Sequence, residues 1–175
     1  MLATSALAAA AAFGLELPAE AMLLTALRTA EAQRGNLSQE VALAFSENGQ
    51  LRLFKIGEQS KVAFNPEETS LLRGCYFTHN HPSQSFLTVR DVEFAHQHDL
   101  VQMRAVAGTV VHVLSRPAGG WPLAHCRRLV ATEQARLRKR FDDPGADRAQ
   151  AHRQWNAFAR KLVRRLSLEL SQETL

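Results

Sequence analysis

The first half of the chain changes from a helical pattern to a strand pattern. Leucines recur at helical spacing between residues 18 and 34, which predicts a helix there. Glu40 followed by an apolar run to residue 45 predicts a strand, and 51–56 predicts a second one, in which Leu51 and Leu53 alternate with Arg52. Asn48-Gly49 stands between these two runs and is a strong short hairpin signal. The pattern therefore predicts a helix followed by a β-hairpin.

The middle of the chain predicts short elements separated by turn residues. Pro, Gly and Asn interrupt the apolar runs at close intervals, so each element is brief. The predicted elements are a strand at 61–64, a helix from 65 to 72, a strand at 75–82, a helix at 91–99, and strands at 102–107 and 109–114.

The C-terminal third has a different character. Two amphipathic, arginine-rich helices are predicted at 122–141 and 146–170, separated by a helix-breaking segment at 142–145. In the second helix one apolar stripe consists of Trp155, Phe158, Leu162 and Leu166. Two interpretations are open. The stripe packs on the rest of the chain, or the helix pair binds a partner or a second copy.

Composition narrows the class of protein. A chain of 175 residues predicts one domain with an appended helical element. Hydrophobic residues make up 46% and charged residues 22%, which is ordinary for a globular protein. The net charge of +4 comes mainly from arginine, much of it beyond residue 126. Cys75 and Cys126 form no disulfide framework, and Cys126 has no further ligands at zinc-like spacing.

The alanine-rich segment 1–13 resembles a signal peptide only superficially. It has no positively charged residue before its apolar stretch. We expect it to be a helix or a loosely ordered arm. No apolar run reaches the 18 residues typical of a membrane span, so the expected location is the cytoplasm.

The most informative residues are His79 and His81, which follow an apolar strand pattern. Side chains two apart in a strand point to the same face, so both imidazoles can bind one metal ion. Pro82 is expected to end the strand. A helix starting near Thr88 would carry Asp91 within its first turn as a carboxylate ligand. Two histidines and a carboxylate are typical of a catalytic zinc site.

Each half of this motif also has a structural interpretation. Thr88 and Asp91 match a helix N-cap signature, and an isolated pair of alternating histidines is usually incidental. The combination of strand, His-x-His-Pro, loop and Thr-x-x-Asp is more specific, and it favours a metal site. The other histidines lack matching partners and are expected to be surface or core residues: His96, His98, His112, His125 and His152.

These residues resemble the JAMM (JAB/MPN) metalloproteases. That family carries a glutamate on an early strand, then His-x-His-Pro, a short loop and Ser-x-x-Asp. Here Glu40 heads a strand, and the His79–Ser83 segment looks like the bacterial RadC-like branch associated with phages or toxins. The resemblance covers about residues 37–121. It implies an α/β, cytidine-deaminase-like mixed sheet sandwiched by helices. Outside it, the sequence pattern predicts an N-terminal helical arm at 1–36 and basic amphipathic C-terminal helices at 122–175.

The resemblance also implies a function. His79, His81 and Asp91 would hold Zn²⁺, Glu40 would be the general base, and Thr88 would stabilise the oxyanion. The reaction would be hydrolysis of an amide or isopeptide bond in a protein or peptide, with a ubiquitin-like modifier among the candidate substrates.

The sequence departs from the family in two ways. Threonine stands at position 88 in place of serine, and the loop 83–87 is one residue shorter than usual. Glu93 and Asp99 are therefore kept as alternative carboxylates to Asp91, and both are placed less well. Glu31 and Glu47 are the rivals of Glu40.

A non-catalytic JAB-fold module that binds protein or DNA is the alternative function, with the C-terminal helices as its contact surface. A homodimer or a partner protein held by the same helices is also expected, and nucleic acid ranks behind a protein or peptide. A zinc deaminase would need a Pro-Cys-x-x-Cys motif, which the sequence lacks.

Overall fold

The protein is a six-stranded mixed β-sheet with helices on both faces. A computed structural model describes residues 19–142 and 148–175. In chain order the elements are α1 (Ala19–Ala32), β1 (Val41–Phe45), β2 (Leu51–Ile56), α2 (Pro66–Ser70), β3 (Tyr76–Asn80), α3 (Val89–Gln97), β4 (Gln102–Ala107), β5 (Val110–Ser115), α4 (Leu123–Asp142), α5 (Arg148–Arg165) and β6 (Glu169–Thr174).

The strand order across the sheet is β2-β1-β3-β4-β5-β6. Every neighbouring pair is antiparallel except β3 and β4, which are parallel. A parallel pair needs a crossover connection, and helix α3 provides it. The β3-α3-β4 unit therefore lies at the centre of the sheet.

The two faces of the sheet are covered differently. Helix α1 packs on one face, where Leu23 and Leu27 meet Phe45 in a small apolar cluster. The main core lies on the other face and takes in buried side chains from α3, α4 and α5, among them Val92, Cys126 and Phe158. The sheet is therefore sandwiched by helices, as the α/β prediction required.

Most predicted elements are confirmed to within a few residues. The hairpin turn is formed at Asn48-Gly49, where Gly49 has a φ of +78°, a conformation that glycine adopts without strain. Segment 1–18, which is half of the arm predicted at 1–36, lies outside the described residues. The predicted break at 142–145 lies almost wholly outside them as well.

The strand predicted at 61–64 is wrong, because this segment forms no strand in the structure. Its alternation has another cause. Val62 and Phe64 are partly buried against the main core, and the Phe64 ring lies 5.9 Å from that of Phe77 and 5.5 Å from that of Phe94. Val62 and Phe64 are therefore apolar because they contact the core, and not because the segment pairs with the edge of the sheet.

The predicted extent of the last helix is also wrong. The helix ends at Arg165, Ser167 adopts a positive φ of 52°, and the chain returns as strand β6 along β5. The strand was missed because most of its side chains are polar and exposed, which is typical of a sheet edge.

The C-terminal region belongs to the same core as the rest of the described chain. Phe158, Leu162 and Leu166 of the apolar stripe are buried in the main cluster, which confirms the first of the two interpretations of the stripe. The expectation that residues from 122 onward form an accessory element is corrected accordingly, because these helices and β6 complete the core and the sheet. None of the helices described is both long and apolar enough to cross a membrane.

A buried ion-pair network ties α1, β4 and β6 together on the α1 face. The Arg104 guanidinium donates to both carboxylate oxygens of Glu31, at 2.6 and 3.0 Å, and to both of Glu173, at 3.2 and 2.7 Å. The side chain of Arg104 is 2% exposed and that of Glu31 is 0% exposed. Thr78 on β3 donates its hydroxyl to Glu31 at 2.9 Å. The network therefore joins the N-terminal helix and the C-terminal strand behind β3.

We expect Arg104→Met to lower the free energy of unfolding by about 3–5 kcal/mol, because it leaves Glu31 charged and buried without its partner. Arg116→Met is the matched control. Arg116 pairs with Asp99 at 3.1 Å, but both side chains are about a third exposed, so the loss should be at most about 1 kcal/mol. Chemical denaturation of both variants provides the comparison. Equal losses would show that the buried network contributes no more than a surface pair.

Candidate metal centre

The side chains of His79, His81 and Asp91 converge at the end of β3. Their ligand atoms all lie within 4.8 Å of one another, and this group can hold a metal ion. The two Nε2 atoms are 2.8 Å apart. Asp91 Oδ1 lies 3.3 Å from His79 Nε2, and Oδ2 lies 3.4 Å from His81 Nε2.

The β3-α3-β4 unit explains this convergence. The N-terminus of α3 returns to the end of β3 at which the chain left the sheet, and this brings Asp91 to the histidines. His79 is paired across the sheet with Ala42 on one side and Ala105 on the other. Both neighbours are small and fully buried, so they leave room for the imidazole.

The ring of His81 is oriented by the loop that follows it. Its Nδ1 lies 2.9 Å from the carbonyl oxygen of Ser85. A carbonyl only accepts, so Nδ1 must carry a hydrogen, and in the neutral ring Nε2 is then a free lone pair. A ligand histidine commonly has such a partner on its other nitrogen. Nδ1 of His79, by contrast, is buried and has no hydrogen-bond partner in the described structure.

The electrostatics of the cluster favour a cation at its centre. Burial alone would raise the pKa of the Asp91 carboxyl, but the adjacent imidazoles of His79 and His81 hold it well below its usual range. Burial lowers the pKa of His81, and the hydrogen bond and charge of Asp91 more than offset this and raise it. Three acceptor atoms this close need a positive charge between them, which a proton or a metal ion can supply.

The donor set fits zinc better than calcium or magnesium. Two imidazole nitrogens and one carboxylate oxygen are typical of catalytic zinc sites, whereas the two hard cations prefer oxygen ligands only. Among the side chains that the structure describes, no fourth His, Cys, Asp or Glu joins the group. A cleft opens beside it, and His79, His81 and Asp91 all line that cleft.

Thr88 is the N-cap of α3 and also orients Asp91. Its hydroxyl donates to Asp91 Oδ2 at 2.8 Å and accepts from the Asp91 backbone N–H at 3.3 Å, while Oδ2 also accepts from the Thr88 backbone N–H at 2.6 Å. The Thr88–Asp91 pair therefore forms a helix cap, and this cap is compatible with Asp91 as a metal ligand. The Thr88 hydroxyl has one hydrogen, and it donates this hydrogen to the bond with Asp91. The structure therefore shows that Thr88 positions Asp91, and its role in stabilising an oxyanion stays a prediction.

Glu40 lies on the same side of the sheet as the two histidines. β1 and β3 pair Ala42 with His79, and continuing that register by two residues brings Glu40 opposite His81. Glu40 lines the cleft together with His79, His81 and Asp91. Burial raises the pKa of its carboxyl, and the charges of the two imidazoles oppose this shift.

Asn80 fixes the backbone on both sides of Glu40. Its Oδ1 accepts from the N–H of Val41 at 2.7 Å, and its Nδ2 donates to the carbonyl of Gln39 at 2.9 Å. The amide side chain is buried on the face opposite the ligands. The alternation of side chains along β3 therefore serves two purposes, with ligands on one face and the support of Glu40 on the other.

The rival carboxylates lie elsewhere. Glu31 is fully buried in the ion pair with Arg104 on the α1 face, and Glu47 is exposed in the hairpin. Asp99 pairs with Arg73 and Arg116, and Glu93 lines a separate surface cavity.

The other described histidines do not join the cluster. His96 Nδ1 lies 2.6 Å from the Val92 carbonyl, His112 contacts Gln172, and His125 is exposed. The side chain of His152 is outside the described part of the chain.

Sequence reasoning missed two contributors to the cleft. Trp155 and Asn156 of α5 line it beside the metal ligands. Trp155 was assigned to the apolar stripe of a separate helix pair, and no local signal placed it near His79. Only the long-range packing of α5 brings the two together.

No family model, curated protein or solved structure matches this chain. The resemblance to JAMM enzymes therefore stays a prediction from the motif residues of the sequence.

We expect His79→Ala and Asp91→Ala to lose bound zinc, because each removes one of only three protein ligands. His125→Ala removes an exposed imidazole outside the cluster and should retain one zinc per chain. Metal analysis of the purified proteins after dialysis is the measurement. Full retention of zinc in both ligand variants would contradict the assignment of the site.

We expect Thr88→Val to weaken zinc binding about 10–100-fold, since it frees Asp91 from its hydroxyl partner, and Thr88→Ser to restore it. Asn65→Ala is the matched control. Asn65 caps α2 with the same kind of capping box, so its loss should cost a similar free energy of about 1 kcal/mol without changing zinc affinity. Competition with a zinc chelator measures the affinity. If Thr88→Val and Asn65→Ala change the zinc affinity equally, Thr88 acts only as a helix cap.

Proposed function

We propose that this protein is a zinc-dependent metallopeptidase of the JAMM type that hydrolyses an amide or isopeptide bond. The observation that carries the proposal is the convergence of His79, His81 and Asp91 within 4.8 Å beside a cleft that Glu40 also lines. The six-stranded mixed sheet with helices on both faces is compatible with the cytidine-deaminase-like sandwich that the resemblance implies, and we include that fold in the proposal.

In this proposal the three ligands hold the zinc ion and Glu40 moves the proton. A bound zinc ion would act as a Lewis acid and bring the pKa of a water molecule from about 15.7 to about 7. The Glu40 carboxylate accepts one proton from the attacking water as the new C–O bond forms. When the C–N bond breaks, Glu40 returns that proton to the leaving nitrogen. The direct products are a carboxylic acid and an amine, and the glutamate is regenerated. At neutral pH the acid proton then passes to the amine, which leaves a carboxylate and an ammonium group.

Asn80 and Thr88 have positioning roles in this scheme. Asn80 holds the backbone on either side of Glu40, which limits the directions in which the carboxylate can point. Thr88 holds Asp91 through its hydroxyl. Donation from Thr88 to an oxyanion would require the hydroxyl proton to turn away from Asp91.

The alternative is a non-catalytic module that binds protein or DNA. One observation favours it: several arginines of the last two helices are exposed, among them Arg127, Arg128, Arg160, Arg164 and Arg165. Contacts of such residues with phosphates would give an affinity that falls steeply with salt. Salt-sensitive DNA binding without hydrolysis of any peptide would favour this alternative.

Glu40→Gln tests the enzyme directly. We expect this variant to keep its fold and its zinc but to lose hydrolysis by at least about 100-fold, because the amide cannot accept the proton. Glu47→Gln, on the exposed hairpin, should behave like the unaltered protein. Turnover of a peptide substrate and zinc content are measured on the same samples. Full turnover by Glu40→Gln would place the general base elsewhere.

A further inference from the structure

The metal centre lies where two parts of one cleft meet. The first arm, of about 550 Å³, is lined by polar residues, among them Gln59, Ser83 and Ser85, together with the apolar Pro82, Phe86 and Leu87. The aromatic arm, of about 700 Å³, is lined by Val62, Phe64, Phe77, Phe94, Met103 and Trp155. Glu40, His81 and Thr88 belong to both arms. The two arms therefore adjoin at Glu40 and His81, and all three metal-ligand candidates line the aromatic arm.

The aromatic arm presents apolar surface to the cleft. Val62, Phe64, Phe94 and Trp155 are only partly buried, although they pack against the main core. The rings of Phe77 and Phe94 are 5.2 Å apart, and that of Phe77 lies 5.7 Å from the ligand His79. An apolar surface therefore begins directly beside the metal ligands. A side chain that covered it would remove apolar area from water on both partners.

The charges at this arm discriminate against a cationic side chain. Lys61 and Arg90 both line it and both are exposed. Each would repel a lysine or arginine of the substrate. Two carboxylates also line the arm, but Asp91 is held by Thr88 and paired with the two histidines, and Glu40 is the proposed general base. The arm therefore suits an uncharged, bulky side chain.

The last helix supplies part of this wall. Trp155 lines the aromatic arm, Asn156 lines both arms, and the Trp155 ring lies 6.0 Å from that of the buried Phe158. Phe158 is in the main core, and Trp155 packs against that core. This packing fixes the position of Trp155 in the cleft wall. This makes Trp155 a determinant of what the arm accepts.

We propose that the substrate is an extended peptide with a large apolar or aromatic side chain directly beside the scissile amide, seated in the aromatic arm. This inference rests on the proposed peptidase function and adds to it the class of residue recognised. It excludes a substrate whose residues on both sides of the scissile bond are glycine.

The test uses capped hexapeptides of alanine and serine in which one central residue is Gly, Leu, Phe or Lys. The zinc-loaded full chain is incubated with each peptide, and mass spectrometry identifies the bond that is cut. We expect kcat/KM for Phe and Leu to exceed that for Gly and Lys by at least about tenfold, with cleavage next to the varied residue. Fluorescently labelled copies are also bound to the zinc-loaded Glu40→Gln variant, and anisotropy should give the same order of affinities.

Two substitutions in the arm test its role. Val62→Trp fills the arm and should reduce the Phe-to-Gly ratio at least about tenfold while the Gly peptide is still cleaved. Trp155→Ala removes wall surface and should reduce the same ratio. Leu51→Trp, at a side chain that is 53% exposed on β2, is the matched control and should leave the ratio unchanged. Circular dichroism checks that each variant is folded, so a misfolded Val62→Trp leaves Trp155→Ala to decide.

The outcomes separate this inference from the proposed function. Cleavage without a preference, or with a preference for Gly or Lys, overturns the aromatic arm and leaves the peptidase intact. Binding in the expected order without cleavage of any peptide supports the arm and contradicts the peptidase. If no peptide is cleaved and the affinities show no order, the inference is overturned.

Discussion

The parallel pairing of β3 with β4 is the constraint on which the rest of the structure depends. An antiparallel neighbour could follow after a two-residue turn, but a parallel one needs a crossover, and α3 forms it. The crossover has to begin where β3 ends. It therefore carries Asp91 to the two histidines, and the distances of 3.3 and 3.4 Å between its carboxylate and their Nε2 atoms follow from that connection. The cleft opens at the same place, because the loop between β3 and α3 lies at the end of the strands and lines it.

Because side chains alternate along β3, one face of the strand carries the metal-ligand candidates and the other face carries the residues that support them. His79 points to the cleft, while Thr78 and Asn80 point to the α1 face. There Thr78 joins the buried Glu31–Arg104 network and Asn80 holds the segment around Glu40. Rigid support behind a strand keeps side chains on its other face in place, which gives the buried ion pair a role in fixing the geometry of the site.

Residues close in sequence were the easiest to predict. The alternating histidines, the Asn48-Gly49 turn and the Thr88–Asp91 cap each depend on local backbone geometry, and the structure has all three. What failed depends on distant parts of the chain. Val62 and Phe64 were predicted as a strand because they contact the core. Strand β6 was missed because an exposed edge strand shows little apolar alternation. The place of Trp155 in the cleft wall is a result of tertiary packing, and no local pattern records it.

The central claim is that His79, His81 and Asp91 bind one zinc ion together. Crystals of the zinc-loaded protein, measured on both sides of the zinc absorption edge, test it most directly. We predict a single anomalous peak about 2.0–2.1 Å from both Nε2 atoms and about 2.0–2.2 Å from an Asp91 oxygen. A peak at other residues, or density for the three side chains without an anomalous peak in a crystal grown with excess zinc, would contradict the account.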